Sequence, residues 1–232
     1  MLDIANNLQQ IQSRIQAAAE TCGRNPEAVT LLAVSKTKPV KDVICAIEAG
    51  QRCFGESYVQ EAVDKIQQIH RDDIEWHFIG PIQSNKSRLI AENFSWVHSV
   101  DRLKIAQRLN EQRPAELGLL NVCLQVNVSA EQSKSGVSLD ELPALVEAVL
   151  KLPQLKLRGL MAIPAKSSFE NEQRDAFRKL SDSLVQLNKQ FLINMDTLSM
   201  GMSNDLEAAV AEGATIVRVG SDIFGSRQGA SD

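Results

Sequence analysis

Short apolar runs and amphipathic helical stretches alternate along almost the whole chain, and this alternation restricts the fold more than any other feature. Strand-like runs fall at Thr30–Ser35, Arg52–Gly55, Glu75–Gly80, Trp96–Val100, Asn121–Val128, Lys156–Met161, Thr197–Met200 and Thr215–Gly220. Helical patterns separate them at Val40–Ala49, Tyr58–Ile69, Asn85–Asn93, Leu103–Arg113, Leu139–Leu150, Asn171–Lys189 and Asn204–Glu212. Such an order implies parallel strands joined by crossover helices. The continuous apolar stretches Leu31–Val34, Val122–Val128 and Ile216–Val219 suit strands buried on both faces. Eight strands, each but the last followed by a helical pattern, in 232 residues match the size of a (β/α)8 TIM barrel. The expected fold is therefore α/β, one barrel domain over residues 1–232, with a doubly wound open sheet as the alternative. Ahead of the first strand, Ile4, Leu8, Ile11, Ile15, Ala18 and Ala19 recur at helical spacing until Gly23 and Pro26 stop them. This extra N-terminal helix would supply or replace the last member of the outer ring.

Composition excludes some classes. A net charge of −4 offers no basic field for nucleic acid, and no apolar run approaches the ~20 residues that span a bilayer. The acidic, polar start lacks a signal-peptide layout, which points to a cytoplasmic protein. Cys22, Cys45, Cys53 and Cys123 lack metal-ligand spacing and read as reduced, small core residues. With aromatics at only 4%, the core is expected to be aliphatic. No second apolar surface is evident, so a monomer is expected.

In a barrel the working groups stand where strands end at the C-terminal face. The first strand stops on Lys36, just before Thr37-Lys38-Pro39 breaks the chain. An amine leaving an apolar strand is partly desolvated, which favours the neutral nucleophile needed for a Schiff base. The plainer reading is a strand-end lysine that snorkels to water. Strands seven and eight end in Ser199-Met200-Gly201-Met202-Ser203 and Arg218-Val219-Gly220-Ser221. Glycines and hydroxyls after this pair of strands form the usual phosphate cradle of the fold. Ser203 could equally serve only as a helix N-cap. Arg218 interrupts an apolar strand and needs an acceptor, either a carboxylate such as Glu56 or a ligand lone pair. His77 is a candidate acid–base group whose facing is unsettled. Ser57 either caps a helix or faces the mouth, and Lys134 lies in a polar loop on the ligand side. A lysine amine, a two-loop phosphate cradle and an arginine together describe a pyridoxal 5′-phosphate (PLP) site.

These residues also carry a resemblance. Ala33-Val34-Ser35-Lys36-Thr37-Lys38-Pro39, Phe54-Gly55-Glu56, His77-Phe78-Ile79-Gly80, Gln83-Ser84-Asn85-Lys86, Ser199-Met200-Gly201-Met202-Ser203 and Arg218-Val219-Gly220 resemble the pyridoxal phosphate homeostasis protein family, in order and across essentially the whole chain. The resemblance implies a barrel like the N-terminal domain of alanine racemase, with PLP as a Schiff base on Lys36. Around it would lie Ser57, Ser199, Gly201, Ser203, Gly220 and Ser221, with the Ser203 region and Gly220-Ser221 on the phosphate and Arg218 at the pyridine nitrogen. The family usually has asparagine where this chain has Ser57, so the shorter serine would make a weaker contact or leave a water-filled gap.

The implied role is in vitamin B6 and amino-acid balance, with PLP-dependent apoenzymes as possible recipients of the cofactor. Chemistry gives its own reason to expect weak catalysis. A permanently charged arginine at the ring nitrogen disfavours the protonated ring that acts as electron sink. Two-base racemisation needs a second base, and the single tyrosine, Tyr58, opens a helix. The alternatives are a weak racemase- or lyase-type enzyme, or a barrel aldolase or isomerase using Lys36 on a sugar phosphate.

Overall fold

The computed structural model describes residues 3–129 and 135–226, so Lys134 lies outside the described residues. Eight parallel strands close into a barrel in sequence order: β1 (Thr30–Val34), β2 (Cys53–Glu56), β3 (Glu75–Phe78), β4 (Trp96–Val100), β5 (Leu120–Gln125), β6 (Leu155–Met161), β7 (Thr197–Ser199) and β8 (Ile216–Val219). The outer helices are α1 (Ile4–Thr21), α2 (Val40–Glu48), α3 (Val59–Ile69), α4 (Ser87–Asn93), α5 (Leu103–Gln112), α6 (Leu142–Val149), α7 (Glu170–Phe191), α8 (Leu206–Ala211) and α9 (Ser221–Phe224). Closure is made by β8 on β1, with Leu32 opposite Arg218 and Ala33 opposite Val219. The open sheet is thereby excluded.

The N-terminal helix completes the ring. Its apolar stripe, Ile4, Leu8, Ile11, Ile15 and Ala19, is buried, and α1 packs against α8, α9 and α2. Arg14 on its flank fastens the contact. It reaches Glu207 at 2.9 Å, Asp222 at 3.3 Å and the Ser203 carbonyl at 2.9 Å. α1 thus braces the two segments that follow β7 and β8.

Three expectations need correction. The last strand is followed by a helix after all, the four-residue α9, too short to show a period in sequence. The chain after β7 turns helical only at Leu206, because Met202–Asp205 forms a tight turn closed by Asp205 on the Met202 N–H at 2.6 Å. Of the cysteines only Cys123 is buried, while Cys22 and Cys45 are exposed. The core is mainly aliphatic, yet its largest fully buried side chains include Phe54, Phe78, Phe94, Phe177 and Phe224. Five of the seven phenylalanines thus fill the core, while Phe169 is 67% exposed.

The barrel interior departs from stacked Val/Ile/Leu layers. Trp96, Cys123 and Met161 form an apolar cluster of their own, separate from the large core. Beside them His77, His98, Ser199 and Arg218 are all buried.

If α1 is structural as its buried stripe implies, Ile11→Ala destabilises the protein by about 2–5 kcal/mol in urea titration. Gln9→Ala, on the exposed face of the same helix, stays within about 0.5 kcal/mol.

Candidate functional site at the C-terminal mouth

At the C-terminal end of the strands a cavity of about 470 Å³ opens, within the range of small-ligand sites. Lys36, Ser57, Ser203, Arg218, Gly220 and Ser221 all line it. They come from the ends of β1, β2, β7 and β8, so barrel closure alone assembles them. Ser199 and Gly201 do not line the cavity. Ser199 lies fully buried beneath it and Gly201 shapes the turn above β7.

Lys36 sits in a tight turn. The Lys38 N–H closes onto the Ser35 carbonyl at 3.0 Å, and Thr37 takes φ = 63°, a left-handed conformation that is costly for a β-branched residue. Buried charges hold this turn. Lys65 Nζ donates to the Ser35 carbonyl at 2.7 Å, to Glu56 at 2.8 Å and to Glu61 at 2.6 Å. Ser35 Oγ donates to the same Glu56 oxygen at 2.7 Å, and Glu61 accepts the Thr37 N–H at 2.6 Å. Both residues flanking Lys36 are therefore fixed from below. Burial raises the Glu56 carboxyl above the ordinary carboxylate range in spite of Lys65. Its second oxygen, Oε2, is buried without a partner among the described residues.

Glu56 is thus committed to Lys65 and is not the acceptor for Arg218. Arg218 is 4% exposed and donates to neutral groups, the Ser199 hydroxyl at 2.7 Å and the Ala162 carbonyl at 2.9 Å. Burial draws its guanidinium down to about 10, which leaves it charged at neutral pH.

The turns after β7 and β8 depend on glycine at two places. Gly201 has φ = 93°, and a Cβ there would stand 2.5 Å from the Ala209 Cβ, so only glycine lets this turn rest on α8. At Gly220 a Cβ would meet the Val34 carbonyl at 3.2 Å and fill the cleft between β8 and β1. Ser203 is not an N-cap; that position belongs to Asp205. Its carbonyl is held by Arg14, and the residue faces the cavity. Ser57 likewise faces the cavity, and Tyr58 holds the N-cap position of α3. At the rim, Lys38 Nζ donates to the carbonyls of Phe224, Gly225 and Ser226 at 2.8–3.0 Å, closing the C-terminal end of α9.

Lys36, Lys38, Lys166 and Arg218 oppose the single carboxylate of Asp205 in the lining. That balance suits an anionic ligand. Hydroxyls at Ser203 and Ser221 add donors without charge, while the Ile223 and Phe224 N–H groups of α9 are already taken by the Gly220 carbonyl. The donor set fits a phosphorylated aldehyde: cations and hydroxyls for the phosphate, an amine for the carbonyl, a fixed guanidinium for the ring.

His77 points into the barrel but stays below the cavity, fully buried and hydrogen-bonded to His98. Sequence reasoning missed His98 and Glu75, which join it there. The only available signal was that both share the alternation phase of inward residues on their strands.

The fold and lining define a (β/α)8 barrel whose mouth gathers an amine, serine hydroxyls, glycine turns and a buried arginine. The sequence model described as alanine racemase, N-terminal domain, matches residues 6–228. Among curated proteins the chain is 57% identical over 230 residues to a pyridoxal phosphate homeostasis protein of Escherichia coli K12, covering 98% of both. It is 59% identical over 227 residues to the protein of that name in Pseudomonas aeruginosa, covering 98% of this chain and 97% of the other. Among solved structures, PipY of Synechococcus elongatus with PLP bound superposes with a TM-score of 0.84 at 35% identity, covering 96% of this chain and all of that one. The chain belongs to the pyridoxal phosphate homeostasis protein family.

The Glu56–Lys65 pair gives a pH-dependent prediction. Lys65→Met leaves a buried carboxyl unpaired and should cost about 3–5 kcal/mol near neutrality. The folded-state pKa of Glu56, already above its reference of 4.5, rises further in the variant. The folded protein then keeps a proton that the unfolded chain releases, so stability is lost as pH rises from the reference value through the folded one. Urea midpoints should show the smaller deficit of Lys65→Met at about pH 5 and the larger at about pH 8.

Proposed function

We propose that this chain binds pyridoxal 5′-phosphate covalently through Lys36 and holds it for intracellular vitamin B6 and amino-acid homeostasis. The observation that carries the reading is the convergence of Lys36, the Ser203 and Ser221 hydroxyls and Arg218 on one cavity. When bound, the cofactor supplies an aldehyde that condenses with amines and a ring able to draw electrons. Lys36 Nζ would hold the aldehyde end, its amine condensing there with loss of water. Ser203, Ser221 and the backbone around Gly220 take the phosphate, with Lys38 at the rim adding positive charge. Arg218 would donate toward the ring nitrogen, and Ser57, in the same lining as Lys36, would lie against the cofactor. Ser199 and Gly201 act indirectly, the first by fixing Arg218 and the second by shaping the cradle.

Holding is favoured over catalysis by two features. Arg218 is charged at neutral pH, so it keeps a proton off the ring nitrogen and weakens the electron sink. The described lining contains no tyrosine, histidine or cysteine, and Tyr58 is 51% exposed outside it. The protein would act as a cytoplasmic monomer that buffers the cofactor or yields it to apoenzymes.

Absorbance spectroscopy and borohydride reduction with peptide mapping test the attachment. The wild-type chain should carry the visible band of the bound cofactor and a reduced adduct on Lys36. Lys36→Ala should lose both, and an unchanged band in that variant would refute the assignment. In deuterated water the loaded protein should leave the α-protons of amino acids in place; exchange at turnover rates would replace the holder with an enzyme.

A further inference from the structure

Beneath the cavity, five side chains from four strands stand in single file. Arg218 Nη1 donates to Ser199 Oγ at 2.7 Å. That oxygen lies 2.7 Å from His98 Nδ1. His98 Nε2 lies 2.9 Å from His77 Nδ1, and His77 Nε2 lies 2.8 Å from Glu75 Oε1. The file starts under the C-terminal mouth and ends on Glu75, the first residue of β3. It therefore runs along the inside of the barrel from one end toward the other.

Counting donors gives the file a direction. A guanidinium only donates, so Ser199 Oγ accepts from Arg218 and spends its one hydrogen on His98 Nδ1. His98 then carries its proton on Nε2 and donates to His77 Nδ1. His77 in turn donates from Nε2 to Glu75, which as a carboxylate only accepts. The opposite direction would set a bare His77 nitrogen against a bare carboxylate unless Glu75 were protonated. The hydrogen bond from His77 instead holds Glu75 below its ordinary range. Burial keeps both imidazoles neutral, with His98 lowered further by His77 and Arg218.

We infer that Glu75, His77, His98 and Ser199 form a one-way hydrogen-bond wire that positions Arg218, with the Glu75 carboxylate as its remote counter-charge. Arg218 has only neutral hydrogen-bond partners; Asp205 across the cavity favours its charge without touching it, and the aligned dipoles of the wire add a second, remote carboxylate from below. Trp96 stacks on His77 at 5.4 Å and 7°, which fixes the ring plane. Arg158 covers Trp96 at 4.6 Å and is itself paired with Asp196 at 2.8 Å. Cys53 leans on the same Glu75 oxygen at 3.9 Å. Cys53, Glu75 and His77 also bring ligand atoms within 4.8 Å of one another. A cation there would need the His77 Nε2 lone pair, which the wire gives a hydrogen, and a thiolate from Cys53, whose thiol is pushed up to about 11. The wire is the arrangement that satisfies every atom in the file.

The wire belongs to the chain alone; only the group that Arg218 faces rests on the proposed function. Long-range proton–nitrogen spectra of the full chain labelled in histidine, without cofactor, test its direction. His77 and His98 should both be neutral near pH 7 with the proton on Nε2. A proton on Nδ1 in either ring, or a doubly protonated ring, would overturn it. Titration with pyridoxal 5′-phosphate tests the positioning role. His98→Leu should raise Kd about threefold to thirtyfold. His98→Gln, whose amide offers one acceptor and one donor at the spacing of the ring nitrogens, should recover most of the loss. Glu75→Gln, at a side chain 45% exposed, keeps the acceptor and removes the charge without threatening folding, and should weaken binding in the same direction. Wild-type affinity in both His98→Leu and Glu75→Gln would overturn the proposal. If His98→Leu does not fold, Glu75→Gln alone decides. A wild-type chain that fails to bind the cofactor would remove the proposed function instead, and the histidine spectra would still judge the wire.

Discussion

Every group at the mouth owes its place to the hydrogen-bonded seam between β8 and β1. A parallel sheet covered by helices on its outside cannot leave its two edges unpaired without exposing their backbone groups. Here the edges are the first and last strands, and their pairing sets Leu32 beside Arg218 and Ala33 beside Val219. The register carries the chain on until Lys36 and Gly220 meet across one cavity. Helix α1 protects that seam, since it covers α8 and α9 and anchors the Ser203 carbonyl through Arg14. An amine near the start of the sequence and a cradle near its end thus become neighbours.

Two buried polar networks then fix the two groups on which the proposed chemistry depends. One lies outside the barrel wall, where Lys65 on α3 gathers Glu56, Glu61 and the Ser35 carbonyl and so holds the strained turn at Thr37. The other lies inside the wall and ends on Arg218. Burying such groups is expensive, and well-packed apolar residues would often be as stable. What polar groups supply instead is direction. A hydrogen-bonded turn or guanidinium has one orientation, whereas an apolar contact tolerates several.

The strand order could be read from sequence because strands buried on both faces give continuous apolar runs, and these bound the barrel well. The same burial hid the inner network. In a strand with one wet face, His98 on β4 would have read as solvent-facing; with both faces covered, its facing could not be told from its type. Ser199 shows a related limit. It belongs to the motif around Gly201 and Ser203, but alternation along β7 turns it under the cavity and onto Arg218. Arg218 was recognisable as a charge needing an acceptor, yet the choice between Glu56 and another partner turned on Lys65, whose place on α3 offered no local signal. The two exposed cysteines misled because apolar neighbours in sequence are not neighbours in space on a helix: Cys45 lies on the outer face of α2, and Cys22 caps the end of α1.

On the proposed function, a protein that holds a cofactor reversibly would have to be complete when loaded and also when empty. The polar groups here largely meet that condition within the chain. Arg218 is held by Ser199 and Ala162, Lys38 by three carbonyls at the end of α9, and the Met202 N–H by Asp205. Little side-chain or loop ordering is then left to oppose binding, which is the physical meaning of preorganisation. The same rigidity argues against a busy catalyst. On the same proposal, a guanidinium held in its charged form would not hand the ring the proton that carbanion chemistry uses, and the inferred wire beneath it would be directed away from the cavity. The mouth of the proposed holder would grip an aldehyde and a phosphate, with the inner histidines held below the cavity and away from them.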